Sequence, residues 1–178
     1  MSTLALPRHL QALLSSERPR SPRNAAILDL AALNGFRASE IVAVNREDID
    51  LAQRKIQRRL RGRSYWQPLN MTRWESWQTL CAAESGNNAP LFVSARSVRL
   101  TRIDVWRVLR QIGHEAKLRS PLTTRGLRQV IGKTLAAKHE QRAETTAAAL
   151  GLAYLNGVQR YYATPDWSDY PKNEEGSS

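Results

Sequence analysis

Apolar residues recur at amphipathic-helix spacing along most of the chain, interrupted by one stretch with strand character. Residues 4–15 predict a short first helix, which the run Glu17-Arg18-Pro19-Arg20-Ser21-Pro22 ends. Ser21 is suited to cap a second helix with Pro22 at its first position, since proline there gives up only an amide that a helix leaves unbonded anyway. Asn24 to Leu33 is strongly apolar and stops at Asn34-Gly35, a left-handed stop signal. Ser39 is the candidate cap of a short helix reaching Val44. From Asp48 to Asn70 the apolar residues Ile49, Leu51, Ile56, Leu60, Trp66 and Leu69 are spread among arginines and glutamines. This pattern predicts two or three short antiparallel strands turning at Arg61-Gly62-Arg63.

Helical spacing returns at Met71 to Glu84, with Trp74, Trp77, Leu80 and Cys81 on one side, the tryptophans as core or interface residues. Leu91-Phe92-Val93 reads as a brief strand. Thr101 caps a helix to about Lys117, with Ile103, Val105, Trp106, Val108, Leu109 and Ile112 as its apolar set. Thr123 or Thr124 caps another through Lys138. Glu144–Leu150 and Asn156–Ala163 predict two further short helices. The expected fold is mainly α with a small antiparallel β-sheet. Residues 1–165 form one domain, and 166–178 form an acidic tail that frays.

Charge changes the picture. The 178 residues include 27 Lys and Arg against 16 Asp and Glu, a net charge of +11. Without the tail, the balance is 26 basic to 12 acidic, or +14. Such an excess favours a polyanionic partner, because bound phosphates release condensed counterions. Arg58, Arg59, Arg61 and Arg63 give the hairpin a basic edge, and Arg102, Arg107 and Arg110 do the same for one helix. All seven are candidate DNA-backbone contacts, with a solvated turn as the alternative for the hairpin. A single cysteine, Cys81, excludes an internal disulfide framework, and three histidines without ligand spacing give a metal site no support. No stretch approaches 18 apolar residues and no signal peptide opens the chain, so a cytoplasmic protein without a membrane partner is expected.

Candidate chemistry concentrates in three places. Asn34-Gly35-Phe36-Arg37-Ala38-Ser39-Glu40-Ile41 sets Arg37 in a tight turn among core-forming neighbours. Thr124-Arg125-Gly126-Leu127-Arg128 supplies more arginine, and Tyr161-Tyr162 supplies late phenols. Two arginines and a tyrosine are the parts needed to attack a DNA phosphodiester. Arg37 fits either a phosphate clamp or a structural pair with Glu40.

These segments resemble the catalytic domain of the tyrosine recombinases over roughly residues 7–165, and most resemble the short subgroup that inverts fimbrial promoter segments. Gly35-Phe36-Arg37-Ala38-Ser39-Glu40 followed by Asp48-Ile49-Asp50-Leu51 is similar to the family's first arginine box. The second box is matched with Arg128 as its arginine. Leu150-Gly151-Leu152 falls where the family has Leu-Gly-His, and Tyr161 falls at the nucleophile spacing, with Tyr162 as its neighbour. The resemblance implies Arg37, Arg125, Arg128 and Tyr161 as catalytic positions, no metal or cofactor, and double-stranded DNA as partner, with pairing of copies on repeated half-sites.

Measured against that pattern, Arg125 stands in place of a histidine and Leu152 in place of a histidine or tryptophan. The hairpin tip has no lysine, so Arg59, Arg61 or Arg63 would have to serve. Arginine donates hydrogen bonds but is a poor proton acceptor and a weak acid. The changes keep positive charge and remove proton transfer, a loss typically of about 10²–10⁴ in rate per group. The working expectation is a DNA-binding protein on a degenerate recombinase scaffold, with a regulatory, architectural or accessory role. The alternatives are an active site-specific recombinase making a 3′-phosphotyrosyl link, and an unrelated basic helical transcription regulator.

Overall fold

A computed structural model describes residues 7–16, 20–60, 63–82, 89–118, 120–138, 146, 147 and 150, with residues 60, 63 and 138 described by backbone alone. The helices are α1 (Arg8–Ser15), α2 (Pro22–Ala32), α3 (Ala38–Ala43), α4 (Trp74–Ala82), α5 (Arg102–Glu115) and α6 (Thr124–Lys138). Between α3 and α4 lie β1 (Ile49–Asp50), β2 (Lys55–Leu60) and β3 (Arg63–Pro68), paired antiparallel in the order β1-β2-β3. The architecture is therefore mainly helical with one small antiparallel sheet. The predicted 144–150 helix is represented by Thr146, Ala147 and Leu150, which are helical; the predicted 156–163 helix and the acidic tail lie outside the described residues.

α2 is the centre of the packing. Ala25 to Ala32 are all buried, and α3, α4, α5 and α6 each pack against it. A helix with no polar face has no stable place at a surface, so neighbours must cover it on every side. Its start is as the sequence predicts: Pro22 is the first residue and the Ser21 hydroxyl accepts from Asn24 N at 3.3 Å. One polar residue sits inside this apolar helix. Asp29 is fully buried and accepts from Trp77 Nε1 at 2.9 Å, Thr72 N at 3.1 Å and Thr72 Oγ1 at 2.8 Å. It pins α4 and the segment before it to α2. Trp77 is thus a core residue, as expected, and Trp74 lies beneath the Arg54 guanidinium at 5.2 Å.

The helix stop also ties the sheet to the core. Asn34 donates to Asp29 O at 2.9 Å and to Asn70 O at 2.8 Å, and accepts from Asn70 N at 2.9 Å. The end of α2 and the exit from β3 are joined by one side-chain amide.

Three local expectations are corrected. Ser39 lies inside α3; the flanking position is Arg37, whose backbone N–H donates to Glu40 Oε2 at 2.7 Å. A carboxylate three residues on can satisfy that orphan amide, so no hydroxyl is needed. Leu91-Phe92-Val93 is not a continuous strand: Pro90 bridges Asn45 and Val93 bridges Arg99, while Leu91 and Phe92 bury fully in the core. Ile103 and Trp106 are 60% and 43% exposed, so they belong to the outer face of α5 and not to its apolar set. That face is fixed by the Thr101–Asp104 capping box, which orients Val105, Val108, Leu109 and Ile112 inward.

Candidate functional site

The site begins with the turn after α2. Gly35 adopts φ +62°, and Phe36 N closes the turn on Leu30 O at 2.9 Å. Glycine occupies the left-handed region without steric cost. It also admits its neighbours, since a Cβ there would stand 3.0 Å from Leu150 Cδ2. The turn buries Phe36 and swings Arg37 to the surface at the start of α3.

Arg37 and Arg128 then meet at one carboxylate. Arg37 Nη1 donates to Glu40 Oε1 at 3.3 Å, and Arg128 Nη1 lies 3.9 Å from Glu40 Oε2. Arg128 is nearly buried and donates to the carbonyls of Gly35 and Leu150. A third guanidinium joins them from β2. Arg58 Nη2 donates to Glu40 Oε2 at 2.7 Å and to Gly35 O at 3.3 Å, with its carbon 4.3 Å from the Phe36 ring centroid. Three permanently charged groups from α2–α3, β2 and α6 thus gather on a single glutamate. Their burial differs in a way that matters. Arg58 is 1% exposed and Arg128 7%, whereas the Arg37 side chain is 49% exposed. Among the described residues, the Arg37 guanidinium hydrogen-bonds Glu40 alone, and its remaining edges face outward.

The other sequence candidates separate cleanly. Arg58 is corrected: a side chain this deeply buried is no surface backbone contact. Arg59 is held by Asp48 through two 2.7 Å bonds, with Glu47 at 3.8 Å, so its guanidinium braces β2 against the segment before β1. Arg125 is exposed on the first turn of α6, where Thr123 Oγ1 accepts from Gly126 N at 3.0 Å. Arg102, Arg107 and Arg110 are exposed on α5; Arg107 contacts Asp104 at 3.3 Å, and Arg110 stacks on Trp106 at 5.1 Å. Arg63 lies in β3. Arg61, Leu152, Tyr161 and Tyr162 lie outside the described residues.

Sequence reasoning missed Arg58 as a member of the cluster and Glu40 as its shared counter-ion. The alternation of β2 carried the signal: side chains two residues apart share a face, and Ile56 is core. Arg58 must therefore point inward with it. Tyr65 was missed for the same reason. Burial pushes its phenol up from the ordinary tyrosine value, opposed by the charges of Arg58 and Arg128 and reinforced by that of Glu40.

Comparison with known proteins fits this architecture. The pattern of the phage integrase family matches residues 6–166. The chain belongs to that family. Among curated relatives, a tyrosine recombinase XerC of Roseiflexus sp. (strain RS-1) is 34% identical over 118 residues, which are 61% of this chain and 38% of the relative. The XerC of Roseiflexus castenholzii is 33% identical over 128 residues, 67% of this chain and 40% of the relative. The chain thus spans well under half the length of these recombinases.

Among solved structures, XerA recombinase superposes with a TM-score of 0.73 at 21% identity, covering 93% of this chain and 62% of that one. A XerH site-specific recombinase bound to its palindromic difH substrate gives 0.69 at 20% identity, covering 89% of this chain and 49% of that one. The fold is that of a tyrosine-recombinase catalytic domain. Family membership overturns the reading of the chain as an unrelated helical regulator whose arginine boxes are accidental. Among the described residues, no helix is long and apolar enough to cross a membrane, and no group of His, Cys, Asp and Glu is placed to hold a metal ion.

Proposed function

We propose that this protein binds double-stranded DNA through the arginine cluster at Glu40, on a tyrosine-recombinase scaffold whose proton-transfer groups have been replaced. One observation carries the reading: Arg37 and Arg128, far apart in the chain, meet at the same carboxylate. Guanidinium is planar, always charged and suited to two-point recognition of phosphate. Arg37 is half exposed beside that cluster and is the group placed to meet a phosphate first. Arg125, with Arg102, Arg107 and Arg110 on α5, extends the positive surface to flanking phosphates.

The substitutions at Arg125 and Leu152 favour binding over cleavage, in a regulatory, architectural or recombination-accessory role. In this reading the protein works like a short fimbrial-type invertase, with residues 1–165 as the DNA-binding unit and copies pairing on repeated half-sites in the cytoplasm. The family match extends through Tyr161, and this favours a second reading: an active recombinase that forms a 3′-phosphotyrosyl link.

A nicked suicide duplex separates the two. We expect Arg37→Ala to weaken duplex binding about tenfold or more, as for loss of a charged hydrogen bond. Tyr161→Phe should leave affinity near that of the unsubstituted chain, and no covalent protein–DNA band should accumulate. A covalent band that Tyr161→Phe abolishes would establish the active recombinase instead. Arg128→Lys, which keeps the charge but not the fork, should bind more weakly than the parent while remaining folded. Undiminished binding by both arginine variants would defeat the proposal.

A further inference from the structure

Tyr65 stands directly opposite Arg58 in the β2–β3 ladder. Residues directly opposite in an antiparallel pair place their side chains on the same face, about 5 Å apart at Cβ. Arg58 points to Glu40 and Gly35, so Tyr65 points to the same region. The alternation along β3 agrees: Tyr65 is half-buried, while Trp66 beside it is 47% exposed on the other face. The phenol also lies within electrostatic reach of Arg58, Glu40 and Arg128 together, three groups carried by three different elements.

We propose that Tyr65 is a further residue of this site, donating a hydrogen bond from its phenol to the same DNA phosphate that Arg37 contacts. The inference rests on the DNA-binding reading above and adds to it a neutral donor carried by β3. Burial keeps the Tyr65 proton in place through the neutral range, so the group serves as a donor and not as a nucleophile. A phosphate oxygen accepts such a bond readily, and hydrogen bonds to a charged acceptor are about twice as strong as neutral ones. Leu152 offers no polar atom, whereas Tyr65 carries a phenol into the cluster from β3.

The test uses the full chain and a duplex that it enriches from a random-sequence pool. Tyr65→Phe removes one oxygen and should weaken binding about tenfold. The slope of affinity against salt should stay unchanged, because no charge is lost, while Arg37→Ala lowers it by about one. Each phosphate is then replaced in turn by an uncharged methylphosphonate. The Tyr65→Phe penalty should vanish at the position where the Arg37→Ala penalty vanishes. A full Tyr65→Phe affinity beside a weakened Arg37→Ala would overturn this inference and leave the DNA-binding reading standing. A Tyr65→Phe penalty that persists at every methylphosphonate position would also overturn it, since the hydroxyl would then act through packing. If no duplex is enriched, or if Arg37→Ala and Arg128→Lys both bind fully, the DNA-binding reading fails and takes this inference with it; full binding by Arg37→Ala alone overturns this inference.

Discussion

Glu40→Ala should destabilise the fold by about 3–5 kcal/mol, the range for removing one partner of a buried ion pair. Arg58 would keep a guanidinium 1% exposed after losing the carboxylate 2.7 Å away. Arg37 would lose both its side-chain partner and the acceptor of its backbone amide at the start of α3. Glu40→Gln should recover part of the loss, because the amide oxygen can still accept from one donor while the negative charge is gone. Urea unfolding of the three proteins measures the order. A loss below about 1 kcal/mol for Glu40→Ala would show that the cluster holds without its shared counter-ion.

At Asp29 the size of the effect depends on which side chain replaces it. Asp29→Ala leaves the buried Trp77 indole without its acceptor, at a cost of about 1–3 kcal/mol, while the exposed Thr72 amide and hydroxyl can turn to water. Asp29→Asn should be mild. Its oxygen can take the place of Oδ2 and accept from Trp77 and Thr72 N, and its amide can donate to the Thr72 hydroxyl.

The pH dependence separates these variants further. Burial pushes the Asp29 carboxyl up from 3.8, outweighing the hydrogen bonds from Trp77 and Thr72 and the charge of Arg20. The folded chain therefore holds a proton that the unfolded chain has already released. Stability contributed at Asp29 falls as pH rises from the unfolded carboxylate value through the raised folded value, and stays level above it. Asp29→Asn has no such group, so its stability relative to the parent should improve across that window. Unfolding curves at a series of acidic to neutral pH values test the sign; a relative gain on acidification would refute it.

What the sequence disclosed follows physical lines. Ser21-Pro22, Asn34-Gly35 and the cap at Thr101 act within a few residues of themselves, so their meaning survives without the rest of the molecule. The two-residue alternation of β2 was just as local, yet the run Arg58-Arg59-Leu60-Arg61 hid it, because charge suggests a surface wherever it stands. Only the inward Ile56 shows that Arg58 follows it into the core, while Arg59 next door is taken up by Asp48. On α5 the error ran the other way: Ile103 and Trp106 look like core by type and are exposed by position. The meeting of Arg37 with Arg128 has no local signature at all. Family resemblance suggested it, and the turn at Gly35, the hairpin and α6 bring it about.

Arg58 and Arg128 both donate to one peptide oxygen, that of Gly35. The hairpin and the sixth helix therefore lean on a common keystone, and neither can be seated correctly while it is displaced. Loosening the bend by one peptide would release two arms of the pocket in a single event, long before the strand or the helix itself melted. When that bend loosens, the proposed phosphate recognition should accordingly be lost in one step, with both arms of the pocket released together.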